Sequence, residues 1–234
     1  MLNVDSLHVS IKSVRILRGV SLRLAPGQLA GLIGRNGAGK TTLMRAIVGA
    51  LPASAGAISF DGRALAAMPS YQRARLGIGY MPEDRRIIPQ LSVEENILLP
   101  AWASGIPAAA ERLARIYRLI PEVAALRDRK GLQLSGGQQK MAALARAFMS
   151  GSKLLLLDEP FEGVAPVLAQ RLAEVVGQLR SEGLSVLLSE SDLSHSKKLL
   201  DVVFQIDRGQ VSGSPPAAAR ESALAEGILP GKGH

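Results

Sequence analysis

Gly34-Arg35-Asn36-Gly37-Ala38-Gly39-Lys40-Thr41-Thr42 is the stretch on which the fold of this chain turns. It fits the phosphate-binding pattern Gly-x-x-x-x-Gly-Lys-[Ser/Thr] at every fixed position. Polyphosphate is held by backbone N–H groups turned inward, and glycine lets the chain curl that tightly around an anion. Lys40 then reaches the β- and γ-phosphates, and the Thr41 hydroxyl is of the type that ligates Mg²⁺. The neighbours agree. Leu29 to Ile33 is an apolar run that reads as a buried strand, and Leu43 to Gly49 reads as the helix after it. That helix's N-terminus adds partial positive charge. The stretch implies a nucleoside-triphosphate site.

Working outward, 234 residues suffice for one large α/β domain or a core with an inserted subdomain. No apolar run approaches the ~18–20 residues needed to span a bilayer. Asp5, His8 and Lys12 interrupt anything resembling a secretory signal at the start. There is no Cys, so disulfides are excluded, which suits the cytosol. The net charge is +8 and is unevenly spread. Residues 1–60 hold seven Lys/Arg against one acid, Asp5. Such a segment attracts polyanions, or is a solvated basic face. Aromatic residues are few (one Trp, three Tyr, four Phe) and are not interleaved with the basic ones. That argues against a stacking platform for nucleic acid, and none is expected as a partner.

Before the loop, Leu2 to Val9 and Val20 to Leu24 alternate like half-buried strands, with His8 on an outer face. After it, Gly56 to Gly62 reads as a strand ending in an Asp-Gly turn, Ser70 to Leu76 as a short basic helix, and Gly77 to Met81 as a strand. Pro82 to Arg86 follows as a charged loop from which a polar side chain can reach a bound metal. Ser92-Val93-Glu94-Glu95 has capping-box spacing and starts a helical stretch that runs to about Ser150, broken near Gly105-Ile106-Pro107 and Pro121. Lys153 to Glu159 is an apolar strand ending in two acids, where open α/β sheets place their ligands. Asp158 is positioned to hold Mg²⁺ directly or through water, and Glu159 to polarise an attacking water. Val167 to Arg180 reads as a helix, Leu184 to Ser189 as a buried strand, Asp192 to Leu200 as a short helix, and Val202 to Asp207 as a last strand. The tail from Ser214 is weakly patterned.

Leu134-Ser135-Gly136-Gly137-Gln138 resembles the signature motif of ATP-binding-cassette (ABC) ATPases, followed here by a helix from Gln139 to Phe148 and then by the Asp158-Glu159 strand. The resemblance covers residues 2–213 and leaves 214–234 as a C-terminal tail. It implies an α/β fold: a phosphate-loop NTPase core on a mostly parallel sheet, an antiparallel β subdomain, and a helical subdomain inserted at about 92–150. It implies that two cassettes pack head to tail, so that each nucleotide lies between one phosphate loop and the other's Ser135, Gly136, Gly137 and Gln138. Partners would be a second cassette, identical or paralogous, membrane-spanning permease subunits and, indirectly, a solute-binding protein. The place would be peripheral, on the cytoplasmic face of the inner membrane. Within the family, Gly34 to Thr42, Val93-Glu94-Glu95-Asn96 and Asp158 to Pro166 look most like cassettes of importers for branched-chain amino acids, amides and urea. Such cassettes often carry Glu, here Glu83, where most have Gln.

Carried over residue by residue, Gly34, Arg35, Asn36, Gly37, Ala38, Gly39, Lys40, Thr41 and Thr42 hold ATP. Thr41, Glu83 and Asp158 serve Mg²⁺, Glu159 is the general base, and Lys40 and Ser191 assist. The segment from Glu83 to Leu99 would face a membrane subunit. Three departures bear on mechanism. The aromatic that stacks on adenine in the family falls at Ile11, so base stacking worth ~1–3 kcal/mol is replaced by an apolar contact. Ser191 stands where the family places a switch His, and His195, one helical turn on, reads as a surface residue. Ala165 replaces an Asp. The expected function is ATP hydrolysis that powers a transporter. The competing readings are a soluble cassette that serves no transporter and a partner cassette that hydrolyses weakly.

Overall fold

The structure, a computed structural model, describes residues 1–213; the tail expected from Ser214 lies outside the described residues. The described residues form ten strands and seven α-helices. The strands are β1 (Leu2–Ile11), β2 (Val14–Leu24), β3 (Leu29–Ile33), β4 (Ala55–Phe60), β5 (Arg63–Ala64), β6 (Ile78–Met81), β7 (Leu154–Asp158), β8 (Ser185–Glu190), β9 (Val202–Asp207) and β10 (Gln210–Gly213). The helices are α1 (Lys40–Ile47), α2 (Ser70–Arg75), α3 (Val93–Ser104), α4 (Ala109–Leu119), α5 (Pro121–Ala124), α6 (Gly136–Ser150) and α7 (Pro166–Ser181).

Two sheets result. A four-stranded antiparallel sheet has the order β2-β1-β4-β5, and a six-stranded sheet the order β10-β9-β3-β8-β7-β6. The second is parallel except for the antiparallel edge pair β10 and β9. Alternation explains the first sheet. Leu2, Val4, Leu7 and Val9 of β1 are buried, as are Leu17, Val20, Leu22 and Leu24 of β2. The phase slips by one residue between Val4 and Leu7, and the chain absorbs the slip as a register shift, with Ser6 at φ 46.

The central strands are buried on both faces and serve two cores. Leu154 and Leu156 of β7, Leu187 of β8, and Ala30 and Leu32 of β3 face the antiparallel sheet and α1. Leu155, Leu157, Val186 and Leu188 face α6, α7 and the helical insert. This double burial is why the strands read as unbroken apolar runs, and why their functional groups gather at the carboxyl ends.

The helical insert is anchored by caps and by one buried amide. Ser92 closes a capping box with Glu95 at the start of α3. Asn96, one turn in, is fully buried. Its Oδ1 accepts from the Ile88 amide at 2.8 Å, and its Nδ2 donates to the carbonyls of Ile88 (3.1 Å), Leu91 (3.3 Å) and Ser92 (2.9 Å). A single side chain thus ties the loop after β6 to α3.

One sequence expectation fails here: residues 192–200 form turns, not a helix. Asp192 Oδ1 accepts from the Ser194 amide at 2.7 Å, and the Ser196 hydroxyl bonds to buried Glu190. These side-chain bonds give the backbone an alternative to the helical ladder. A second adjustment concerns α6, which begins at Gly136 rather than Gln139, so the paired glycines form its first turn.

Asn96→Ala leaves the Ile88 amide without its acceptor. The expected loss is about 2–3 kcal/mol of stability, read as a lower urea midpoint at unchanged slope.

Candidate phosphate and hydrolysis site

The loop between β3 and α1 is shaped by close packing. A Cβ at Gly34 would lie 2.3 Å from the Ile206 carbonyl oxygen, and Gly39 sits at φ 112, a conformation that disfavours side chains. Gly39 is the N-cap of α1 and no side chain caps that end. The first amides of α1 are therefore not taken by a side-chain cap, which suits an anion. By contrast α3 and α6 carry full capping boxes.

Lys40 is 5% exposed. Its Nζ donates to the carbonyls of Gly34 and Arg35 (3.3 Å) and pairs with Glu159 Oε1 at 2.9 Å. Ser191 Oγ lies 3.5 Å from the same ammonium and 3.1 Å from both Asn36 Oδ1 and Glu159 Oε1. Lys40, Asn36, Glu159 and Ser191 thus converge from three sequence regions. A cavity of about 390 Å³ beside them is lined by Ile16, Arg35, Asn36, Gly37, Gly39, Lys40, Thr41, Thr42, Glu83 and Glu159. A second, of about 640 Å³, lies across the loop toward the end of β9 and includes Gly34, Ala38 and Ser191.

Glu159 has φ 47, unusual for a residue with a side chain, at a cost of about 1–2 kcal/mol. Its amide donates to the Ser189 carbonyl at 3.2 Å and to Ser189 Oγ at 3.1 Å, while its carbonyl accepts from Lys140 Nζ at 2.8 Å. The turn that lifts the carboxylate toward Lys40 is therefore held from both sides.

Asp158 is fully buried and does not line either cavity. One carboxylate oxygen accepts from Ser189 Oγ at 2.7 Å and the other from the Tyr80 hydroxyl at 3.1 Å. Burial, then the Asp158 charge, holds the Tyr80 phenol far above its ordinary range, so it stays a proton donor. Glu83 is pushed above the usual carboxylate range by desolvation first and then by Glu162, Asp158 and Glu159. A cation placed among these acids would reverse that shift. Thr41, Glu83 and Asp158 offer hard oxygen donors of the kind Mg²⁺ takes. Among the described residues no three His, Cys, Asp or Glu side chains form a metal cluster by themselves.

The signature surface is accessible. Ser135 and Gly136 are exposed. Ser135 Oγ accepts from the Gln138 amide at 3.3 Å, and Gln138 Oε1 accepts from the Ser135 amide at 3.0 Å. Gln138 is thereby occupied as a cap, while the Gly136 and Gly137 amides, at the first two helical positions, have no intrahelical partner. Ser135 to Gln138 line neither of the two cavities beside Lys40.

Ile11 is 41% exposed and lines neither of the two cavities; the apolar residue that lines the smaller one is Ile16. Ile11 pairs with Val14 at the tip of the β-hairpin, and Ile16 falls at the register shift between the Ser10–Arg15 and Val9–Leu17 pairs. His195 is exposed, its ring centroid 5.7 Å from that of Phe161, as a surface residue should be.

Several contributors escape sequence reading. Ser189 and Tyr80 orient Asp158. Arg146 of α6 donates to the Arg86 carbonyl at 2.6 Å and to that of Arg85, two residues at φ 51 and φ 60. Lys140 holds the loop after β7. For Ser189 a signal existed: a hydroxyl beside the carboxyl end of a strand buried on both faces.

Glu190 closes the site from behind. It is 4% exposed and accepts from Ser196. Burial outweighs that bond and raises its carboxyl from 4.5 to about 7. A carboxyl raised in the folded state stabilises fully below its unfolded value, and loses that contribution as pH rises through the folded value. Stability should thus fall between about pH 4.5 and 7 and level off above. Glu190→Gln should remove this slope, raising the melting temperature at pH 8 by about 3–6 °C relative to wild type and little at pH 4.5.

The family described as ABC transporter matches residues 17–162. The high-affinity branched-chain amino acid transport ATP-binding protein BraG of Pseudomonas aeruginosa is 35% identical over 211 residues, covering 90% of this chain and 91% of that protein. The lipopolysaccharide export system ATP-binding protein LptB of Escherichia coli K12 is 34% identical over 212 residues, covering 90% and 88%. A nucleotide-free ATP-binding cassette from an ABC transporter superposes with a TM-score of 0.80 at 26% identity, covering 96% of this chain and 95% of that one. The ADP conformation of the cassette MJ1267 gives 0.81 at 26% identity, covering 97% and 95%.

Proposed function

The chain belongs to the ATP-binding-cassette family, as an ATPase subunit of a transporter, and on that premise we propose that it powers uptake of branched-chain amino acids or related small amides. The observation that carries the chemistry is the convergence of Lys40, Glu159 and Ser191 beside the loop amides. The amides from Gly34 to Thr42 and the Lys40 ammonium bind the phosphates. Entering phosphate competes with Glu159 for Lys40, freeing a carboxylate to accept a proton from the attacking water. Ser191 donates a hydrogen bond to that carboxylate or to phosphate. Thr41 and Glu83, with Asp158 through water, would hold Mg²⁺, which when bound offsets charge on the phosphates.

A second cassette, identical or paralogous, completes the site in this reading, because Ser135 and Gly136 are exposed and line neither cavity beside the chain's own Lys40. Membrane-spanning subunits dock along Glu83 to Leu99 and the neighbouring helices, where Tyr71, Ile88 and Trp102 are exposed apolar side chains. No helix of the described residues is long and apolar enough to cross a membrane. Attachment is then peripheral, on the cytoplasmic face, with a solute-binding protein acting at one remove. The similarity to BraG supports uptake. The similarity to LptB is nearly equal and favours one second reading, a lipid-export cassette.

Glu159→Gln should lower steady-state ATPase by about 10²–10⁴-fold while leaving nucleotide binding intact; equal rates would remove Glu159 as the base and leave a weakly hydrolysing partner. Deleting the gene in its host should abolish uptake of labelled leucine. Intact uptake with altered surface lipid would favour export. Without an aromatic under the base, ATP and GTP should bind within about tenfold of each other in equilibrium titrations; a strong preference for ATP would overturn that expectation.

A further inference from the structure

Lys140 is a fully buried ammonium outside the phosphate site, 1% exposed, on the second turn of α6. A buried cation is retained only where it is satisfied. Here the partners are backbone oxygens: Nζ donates to the Glu159 carbonyl at 2.8 Å and to the Glu162 carbonyl. The two carbonyls bracket a tight turn, since the Glu162 amide itself donates to the Glu159 carbonyl at 3.3 Å. Glu159 is also the residue at φ 47, and its amide is tied to Ser189 in β8. An unfavourable backbone conformation persists only where its surroundings over-determine it. Ser189 fixes the amide side of Glu159 and Lys140 the carbonyl side. With both in place the carboxylate is aimed at Lys40 and Ser191.

We propose that Lys140 is a positioning residue for Glu159: reaching from the helix that Ser135 caps, its ammonium holds the turn after β7 so that the Glu159 carboxylate stands at the phosphate loop. Lys140 touches no substrate. It acts through the backbone of Glu159, and it places the signature surface and the general base on one rigid unit. Burial, then the Arg85 charge, lowers the ammonium to about 8, against the pull of Glu162, Glu159 and Glu83. It therefore remains mostly protonated near neutral pH. The inference rests on the hydrolysis reading above and deepens it.

The test uses the full chain and steady-state hydrolysis of MgATP, with Lys140→Met and Lys140→Arg in both wild-type and Glu159→Gln backgrounds. Met keeps the apolar stem and removes the donor. Arg keeps a buried donor. The expected result is a kcat about 10–100-fold lower for Lys140→Met with KM within about threefold, and recovery of at least a third of the wild-type kcat for Lys140→Arg. In the Glu159→Gln background, Lys140→Met should change the residual rate by less than about twofold, because the carboxylate it positions is already gone. A merely structural role would lower the residual rate by the same factor in both backgrounds, and that outcome overturns the proposal. So does a Lys140→Met kcat within twofold of wild type. Should Lys140→Met not fold, Lys140→Gln, a shorter donor, is measured in the same cycle and judged by the same criteria. Wild type losing its rate on Glu159→Gln while Lys140→Met stays active sinks only this inference. A wild-type rate indifferent to Glu159→Gln sinks the hydrolysis reading, and this inference with it.

Discussion

The Lys40 ammonium sits where water scarcely reaches, and the loops around it are arranged to satisfy its charge. Burying an ion costs several kcal/mol unless good hydrogen bonds and an opposite charge compensate. Two backbone carbonyls come from the phosphate loop itself, and the counter-charge comes from Glu159 at the end of a different strand. The pairing binds β3 and β7 functionally although β8 lies between them in the sheet. It also sets the site's logic, because whatever displaces Glu159 from Lys40 must itself be anionic and must fit among the loop amides. A terminal phosphate meets both demands.

The same economy appears in α6, whose long cations end on carbonyls rather than carboxylates. Lys140 grips the turn after Asp158-Glu159, and Arg146 grips the Arg85-Arg86 turn that follows Glu83. Both turns contain residues in the left-handed region, and both bear an acid that faces the phosphate loop. Burial depresses the Arg146 guanidinium, which nonetheless keeps its charge because arginine titrates so high. One helix thus sets the two acidic loops relative to each other, and its own N-terminus carries the exposed serine and glycine of the signature.

How much of this could be read from the residues depends on how local each signal is. The phosphate loop, the capping box at Ser92 and the apolar strand ending in Asp158-Glu159 are short-range patterns, and each stands where its spacing placed it. The start of α6 was misplaced because glycine weakens the helical pattern, although Ser135 with Gln138 at N3 is itself a capping box. The helix expected at 192–200 failed since its apolar spacing competes with Asp and Ser side chains that bond their own backbone. Ile16 against Ile11 is a matter of strand register, which alternation fixes only once the hairpin partner is known. Lys140 carries no local signal of its role. Its sequence neighbours say only that it lies on a helix, and its role comes from contacts 19 and 22 residues away.

Where the family resemblance expects a histidine, this chain carries Ser191. An imidazole can carry a positive charge to phosphate and hold a carboxylate at once. A hydroxyl has one proton, and Ser191 has two acceptors equally near, Asn36 Oδ1 and Glu159 Oε1, both at 3.1 Å. It can serve one at a time. His195, carried by turns rather than a helix, lies exposed beside Phe161 at a cavity that it lines together with Glu159 and Ser191. The burden of fixing Glu159 then shifts from its side-chain neighbours to its backbone. The backbone is where the structure spends most of its bonds: two from Ser189 on the amide and one from a buried ammonium on the carbonyl. With a hydroxyl rather than an imidazole beside it, the Glu159 carboxylate depends all the more on the turn that presents it.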